Sequence, residues 1–262
     1  MLKFLGRQLA EFLTSPGHSH GASPPSDIEP LRRALQPGDV LLVEGSSRVS
    51  VAIKYLTQST WSHAALFVGD LPSRDGGPHL IEADAVEGVR AVKLDAFRGY
   101  HCRICRPVGL TSHEIGELIA YAAGRLGHTY DLKNIVDLLR YLVPTPPVPV
   151  GWRRRLIALG SGDPTRAICS TLIAQAFQSI RYPVLPEITT VSAPTADCPA
   201  CVEELLRVRH HSLFVPRDFD VSPYFEIVKP TIANGFDYRV VKWAPERPQE
   251  LNVVSLKERT HA

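Results

Sequence analysis

The chain has 262 residues, 44% of them apolar and 21% charged, which is enough for one substantial folded domain with added arms. A formal charge of +2, with no run of like charges, argues against nucleic acid as a partner. Five cysteines, an odd number without the dense spacing of a small disulfide scaffold, fit a reducing compartment better than an oxidising one.

In chain order, Leu2, Leu5, Leu9 and Phe12 lie close to helical spacing, while Lys3, Arg7 and Glu11 break every stretch that would serve as an apolar signal core. An amphipathic helix is expected over residues 1–14, docked on the domain or a partner, with a membrane surface as the other place for it. No apolar run reaches the ~18 residues of a spanning helix. The expected location is therefore cytoplasmic, with peripheral membrane contact through this helix. Residues 15–30 (SPGHSHGASPPSDIEP) read as a linker, the main domain as 31–245, and 246–262 as a tail.

Past the turn at Gln36-Pro37-Gly38-Asp39, Val40 to Val43 suits a buried strand. Val49, Ala52, Ile53 and Leu56 then recur on one helical face. His63 to Val68, His79 to Ala83, Val89 to Leu94 and Tyr100 to Arg106 read as successive strands of an antiparallel sheet, punctuated by Gly88 and Gly99. Thr111 and Glu114 form a capping box ahead of Ile115, Leu118, Ile119 and Ala122, with Gly127 as the stop signal. Residues 134–165 look irregular, an insert with a proline cluster at Pro144 to Pro149. Ile168 to Ile180 reads as a helix, and Val202 to Val208 as a short one.

Three segments carry candidate chemistry. His63 opens an apolar strand, and Glu82 is a carboxylate inside another. Burying a carboxylate is costly unless it is paired, so if the two strands are antiparallel neighbours, a His63–Glu82 contact would satisfy Glu82 and fix the imidazole tautomer. A purely structural ion pair is the alternative. Cys169 lies on the apolar stripe of its helix and would serve as an ordinary packing residue. Its place in the first turn also sets it beside unpaired backbone N–H groups and the positive end of the helix dipole, which favour the reactive thiolate. The Cys169 N–H is then also placed to help stabilise an oxyanion.

The order S-H-x-x-L-x-V-G, I-E-A, G-x-x-Y-D, C-S-T-L-I resembles the NlpC/P60 superfamily in its circularly permuted form, in particular the YiiX/YebB-like cysteine hydrolases. The resemblance covers roughly residues 36 to 182, and Pro216 to Phe225 also looks like a segment of that branch. It implies an α+β, circularly permuted papain-like fold, an antiparallel sheet or barrel packed against helices that include the nucleophile helix. It further implies Cys169 as nucleophile, His63 as base and Glu82 as the group orienting His63, without a cofactor. Tyr130 matches a tyrosine near the nucleophile and is a candidate oxyanion donor, with an ordinary half-buried tyrosine as the alternative. Asp131 has an alternative as a helix N-cap.

The expected activity is thiol-dependent cleavage of an amide, ester or thioester in a small-molecule, lipid or peptide substrate. Acyl transfer to a lipid acceptor through the same acyl-enzyme is one alternative, and a non-catalytic lipid- or peptide-binding module is another. A third is a zinc site from Cys102-Arg-Ile-Cys105 and Cys198-Pro-Ala-Cys201. Their wide separation is unlike a zinc ribbon, and strand residues three apart point to opposite faces. The second pair also resembles a redox dithiol, though no βαβ context surrounds it.

Overall fold

The computed structural model describes residues 23–71, 76–84, 87–128, 168–193, 197–198 and 200–241. The expected helix at 1–14, Tyr130, Asp131, the insert at 134–165 and the tail at 246–262 lie outside the described residues.

A six-stranded antiparallel sheet in the order β4-β3-β2-β1-β5-β8 organises the domain. Its strands are β1 (Val40–Glu44), β2 (His63–Asp70), β3 (Pro78–Asp84), β4 (Gly88–Lys93), β5 (His101–Pro107) and β8 (Phe225–Val228). The five strands expected in the first half of the chain all form. They are short, apolar and alternate with turn residues, so local pairing is enough to build them. β2, β3 and β4 form one meander, and β1 lies between β2 and β5, with Val43 opposite both His63 and Cys102.

Helices cover both faces. On one side α1 (Ile28–Ala34) and a 3-10 turn at Leu94–Phe97 pack Ile28, Leu31, Leu94 and Phe97 against Leu41, Ala65, Phe67, Leu80 and Ile104. On the other side α3 (Ser112–Ala123), α4 (Ile168–Ser179) and α5 (Pro216–Val221) pack Leu118, Leu172, Ile173, Phe177 and Phe219 against Leu42, Ala64, Leu66 and Ile81. Cys102 belongs to the first core and Cys105 to the second, as the strand alternation requires. The remaining helices are α2 (Arg48–Thr57), between β1 and β2, and the single turn α6 (Pro230–Ala233).

The capping box forms as expected: Thr111 accepts from the Glu114 N–H and the Glu114 carboxylate accepts from the Thr111 N–H. Two expectations change. Asp27 caps α1 by accepting from the Glu29 N–H, so ordered structure begins inside the segment read as linker to residue 30. The short helix expected at Val202 to Val208 is instead strand β7 (Val202–Arg207), paired with β6 (Glu187–Ser192) in a separate hairpin. Glu203, Glu204, Leu205 and Leu206 favour helix locally, and the cross-strand ladder overrides that preference.

The cysteines also need correction. Cys198 and Cys201 are joined in a disulfide beside this hairpin, and bonded sulfurs cannot serve a shared zinc site. Cys102, Cys105 and Cys169 are free. Among the described residues no group of three or more His, Cys, Asp and Glu side chains is placed to hold a metal ion. Nor is any helix among them long and apolar enough to cross a membrane.

Candidate active site

The first turn of α4 holds Cys169 as the second residue of the helix, with only 5% of its surface exposed. Apolar residues anchor the rest of α4: Leu172, Ile173, Ala176 and Phe177 are buried in the core against β2 and β3. The neighbouring Ser170 hydroxyl donates to the Phe214 carbonyl at 2.7 Å and ties the helix start to the 210–215 segment. Packing and this tether fix where the thiol sits.

His63 begins β2. Its Nε2 lies 2.6 Å from Glu82 Oε2, and the Cys169 sulfur is near enough to act on the charge of the same ring. With Nε2 occupied by the carboxylate, Nδ1 is the nitrogen left for the thiol. The strands bearing His63 and Glu82 are adjacent and antiparallel, so the expected arrangement, an imidazole between Glu82 and Cys169, is present in the structure. Phe97 flanks the ring at 6.3 Å between centroids, and the His63 side chain stays 26% exposed.

The electrostatics follow from this geometry. Burial disfavours charge on His63, but the Cys169 sulfur and the Glu82 carboxylate outweigh it and raise the imidazole from 6.5 to about 10. Glu82 is 4% exposed, and burial alone would push its carboxyl up. The His63 and Arg90 charges beside it reverse that and hold it below the usual carboxylate range. Together these shifts describe an imidazolium beside an ionised carboxylate.

Sequence reasoning missed Arg90. It faces Glu82 directly across the β3–β4 register, its Nε donates to Glu82 Oε1 at 2.8 Å, and its Nη2 lies 2.8 Å from the same oxygen. The available signal was geometric: residues 82 and 90 are equidistant from the turn that joins the two strands. Also unforeseen is a group two residues ahead of His63. Trp61 Nε1 donates to Asp220 at 3.0 Å, Arg103 donates to the same carboxylate at 2.7 Å, and His101 stacks on the indole. Asp220 lies in the Pro216 to Phe225 segment, which thereby braces the connection leading into His63.

Residues 34–141 match the model of a family of permuted papain-like amidase enzymes, the YaeF/YiiX or C92 family. The matched stretch contains His63, Glu82 and Arg90 and ends before Cys169. A probable lipoprotein peptidase, YaeF of Escherichia coli K12, is 24% identical over 166 residues, which cover 57% of this chain. The chain spans 58% of that relative's length. A crystal structure of the metalloprotein yiiX from Escherichia coli O157:H7 is similar with a TM-score of 0.44 and 18% identity, over 75% of this chain and 97% of that one. Over residues 34–141, which hold most of the antiparallel sheet, this chain is similar to the permuted papain-like amidases of the YaeF/YiiX kind.

Proposed function

We propose that the chain is a cysteine hydrolase that cleaves an amide-type bond through an acyl-enzyme on Cys169. The observation that carries this reading is the His63–Glu82 hydrogen bond with the Cys169 sulfur near the same ring, in the first turn of a buried helix. His63 holds the thiol proton, and the Cys169 sulfur attacks the carbonyl carbon. The negative oxygen that develops faces the start of α4, where backbone N–H groups lack helical partners. Imidazolium then gives its proton to the leaving amine, which departs and leaves a thioester on Cys169. A water deprotonated by His63 attacks the thioester, the acid is released and the thiol is restored. Glu82 keeps the ring oriented and stabilises its charged form throughout.

The family description as amidases supports the amide bond. Esters and thioesters pass through the same acyl-enzyme, and transfer to an alcohol or amine instead of water changes only the acceptor. The test is a panel of amides, esters and thioesters offered to the wild type and to Cys169→Ala, with intact-mass detection of an acyl adduct. Turnover and adduct are expected from the wild type alone, and full turnover by folded Cys169→Ala refutes the mechanism.

A further inference from the structure

We propose that Arg90 is a positioning residue of this site: it clamps one oxygen of Glu82, keeps the carboxylate ionised and turns the other oxygen onto His63. The inference rests on the reading of Cys169, His63 and Glu82 as a working set.

Three observations carry it. First, the two oxygens of Glu82 are divided between partners, Oε1 to two nitrogens of the Arg90 guanidinium and Oε2 to His63 Nε2. A carboxylate held this way has little freedom to rotate, so the direction of Oε2 is set from β4 rather than by Glu82 alone. Second, Glu82 stands in a strand whose neighbours Leu80, Ile81 and Ala83 are all buried. A lone carboxylate there is cheapest as the neutral acid, and a neutral acid cannot stabilise an imidazolium. The guanidinium balances the charge and removes the reason for Glu82 to take up a proton. Third, Arg90 is itself strapped in place: it pairs with Asp84 at 3.5 Å and hydrogen-bonds Glu87. Among the described residues, the charged and titratable groups paired with Glu82 are thus His63 from β2 and Arg90 from β4. Cys169 of α4 acts through His63, and Asp84 and Glu87 act through Arg90.

A merely structural arginine would stabilise the β3–β4 hairpin as a cross-strand pair and do nothing to the thiol. The two roles separate in the rate of iodoacetamide alkylation of Cys169 per folded molecule, followed across pH in the wild type, Arg90→Met and Arg90→Lys. With the clamp removed in Arg90→Met, the acid limb of the profile is expected to move to higher pH. The rate at neutral pH should then fall about tenfold, the scale of a lost charged hydrogen bond. Arg90→Lys keeps the charge but lacks the planar fork, so its limb stays near that of the wild type and its rate falls less. A wild-type profile and rate in Arg90→Met, alongside a lowered melting temperature, overturns the proposal and leaves a hairpin strut. Should Arg90→Met not fold, Arg90→Lys carries the test, and an unchanged rate there overturns the clamp. His63→Ala distinguishes the underlying reading. If it leaves Cys169 alkylation unaltered, the working set itself fails, whereas failure of the clamp leaves the His63 dependence intact.

Discussion

Replacing Glu82 by Gln tests the proposed orienter, because it keeps the shape of the side chain and removes its charge. The amide oxygen can still accept from His63, but it no longer stabilises the imidazolium. A hydrogen bond to a charged group exceeds a neutral one by about 1–2 kcal/mol, so the proposed turnover should drop about 5–30-fold. Stability changes too, through Arg90. Breaking a buried ion pair costs about 3–5 kcal/mol. Here the Arg90 side chain is 37% exposed and retains Asp84 and Glu87. Solvent and those partners cut the cost to about 1–2 kcal/mol. In a chain of this size that lowers the melting temperature by about 2–8 °C. The assay reads turnover, Cys169 alkylation and thermal melting together across pH. Glu82 is one of the groups that raise the His63 pKa, so the alkaline limb of reactivity should also move to lower pH in the variant. Folded Glu82→Gln with the wild-type rate and limb would refute the orienting role, whatever its melting temperature.

Among the free thiols, Cys169 should react first with iodoacetamide near neutral pH. Burial pushes the Cys102 thiol up to about 12 and raises Cys105 as well, and Cys198 and Cys201 should label only after reduction, all read by peptide mass. Stability should fall on the alkaline side. The His63 pKa is raised from 6.5 to about 10, so its contribution is fully present below about 6.5 and lost as pH climbs through about 10. Cys169→Ala removes the largest influence raising it, so melting temperatures across pH should show that loss starting at the same pH but smaller and complete at lower pH. Phe177 is fully buried and meets Phe225 edge-on at 5.2 Å and Tyr182 at 5.4 Å. Phe177→Ala should cost about 3–5 kcal/mol in urea denaturation.

What the sequence revealed divides by the range of the forces involved. Strands β1 to β5 and the Thr111–Glu114 cap were legible because alternation, turn residues and capping are local. The His63–Glu82 contact was legible because a carboxylate in an apolar strand needs a partner, whereas Cys169 joined them only through the resemblance in motif order. Arg90 was not, since its partner follows only from the β3–β4 register, which a single residue of slip would change. The β7 segment misled because its Glu and Leu residues satisfy a helix locally, and only pairing with β6 decides otherwise. The four residues of β8 are too few for a periodic signal, yet they close one edge of the sheet beside β5.

The meander of β2, β3 and β4 carries His63, Glu82 and Arg90 on consecutive strands, whereas Cys169 arrives far later on α4. Hairpins between neighbouring strands close at little entropic cost, and the long connection to α4 closes at more. During synthesis the meander therefore leaves the ribosome with its three charged side chains able to pair before α4 exists. The order of assembly separates the thiol from its proposed base until α4 docks on the sheet. A nascent chain would then hold its thiol apart from the imidazole, and the two would meet only in the finished core.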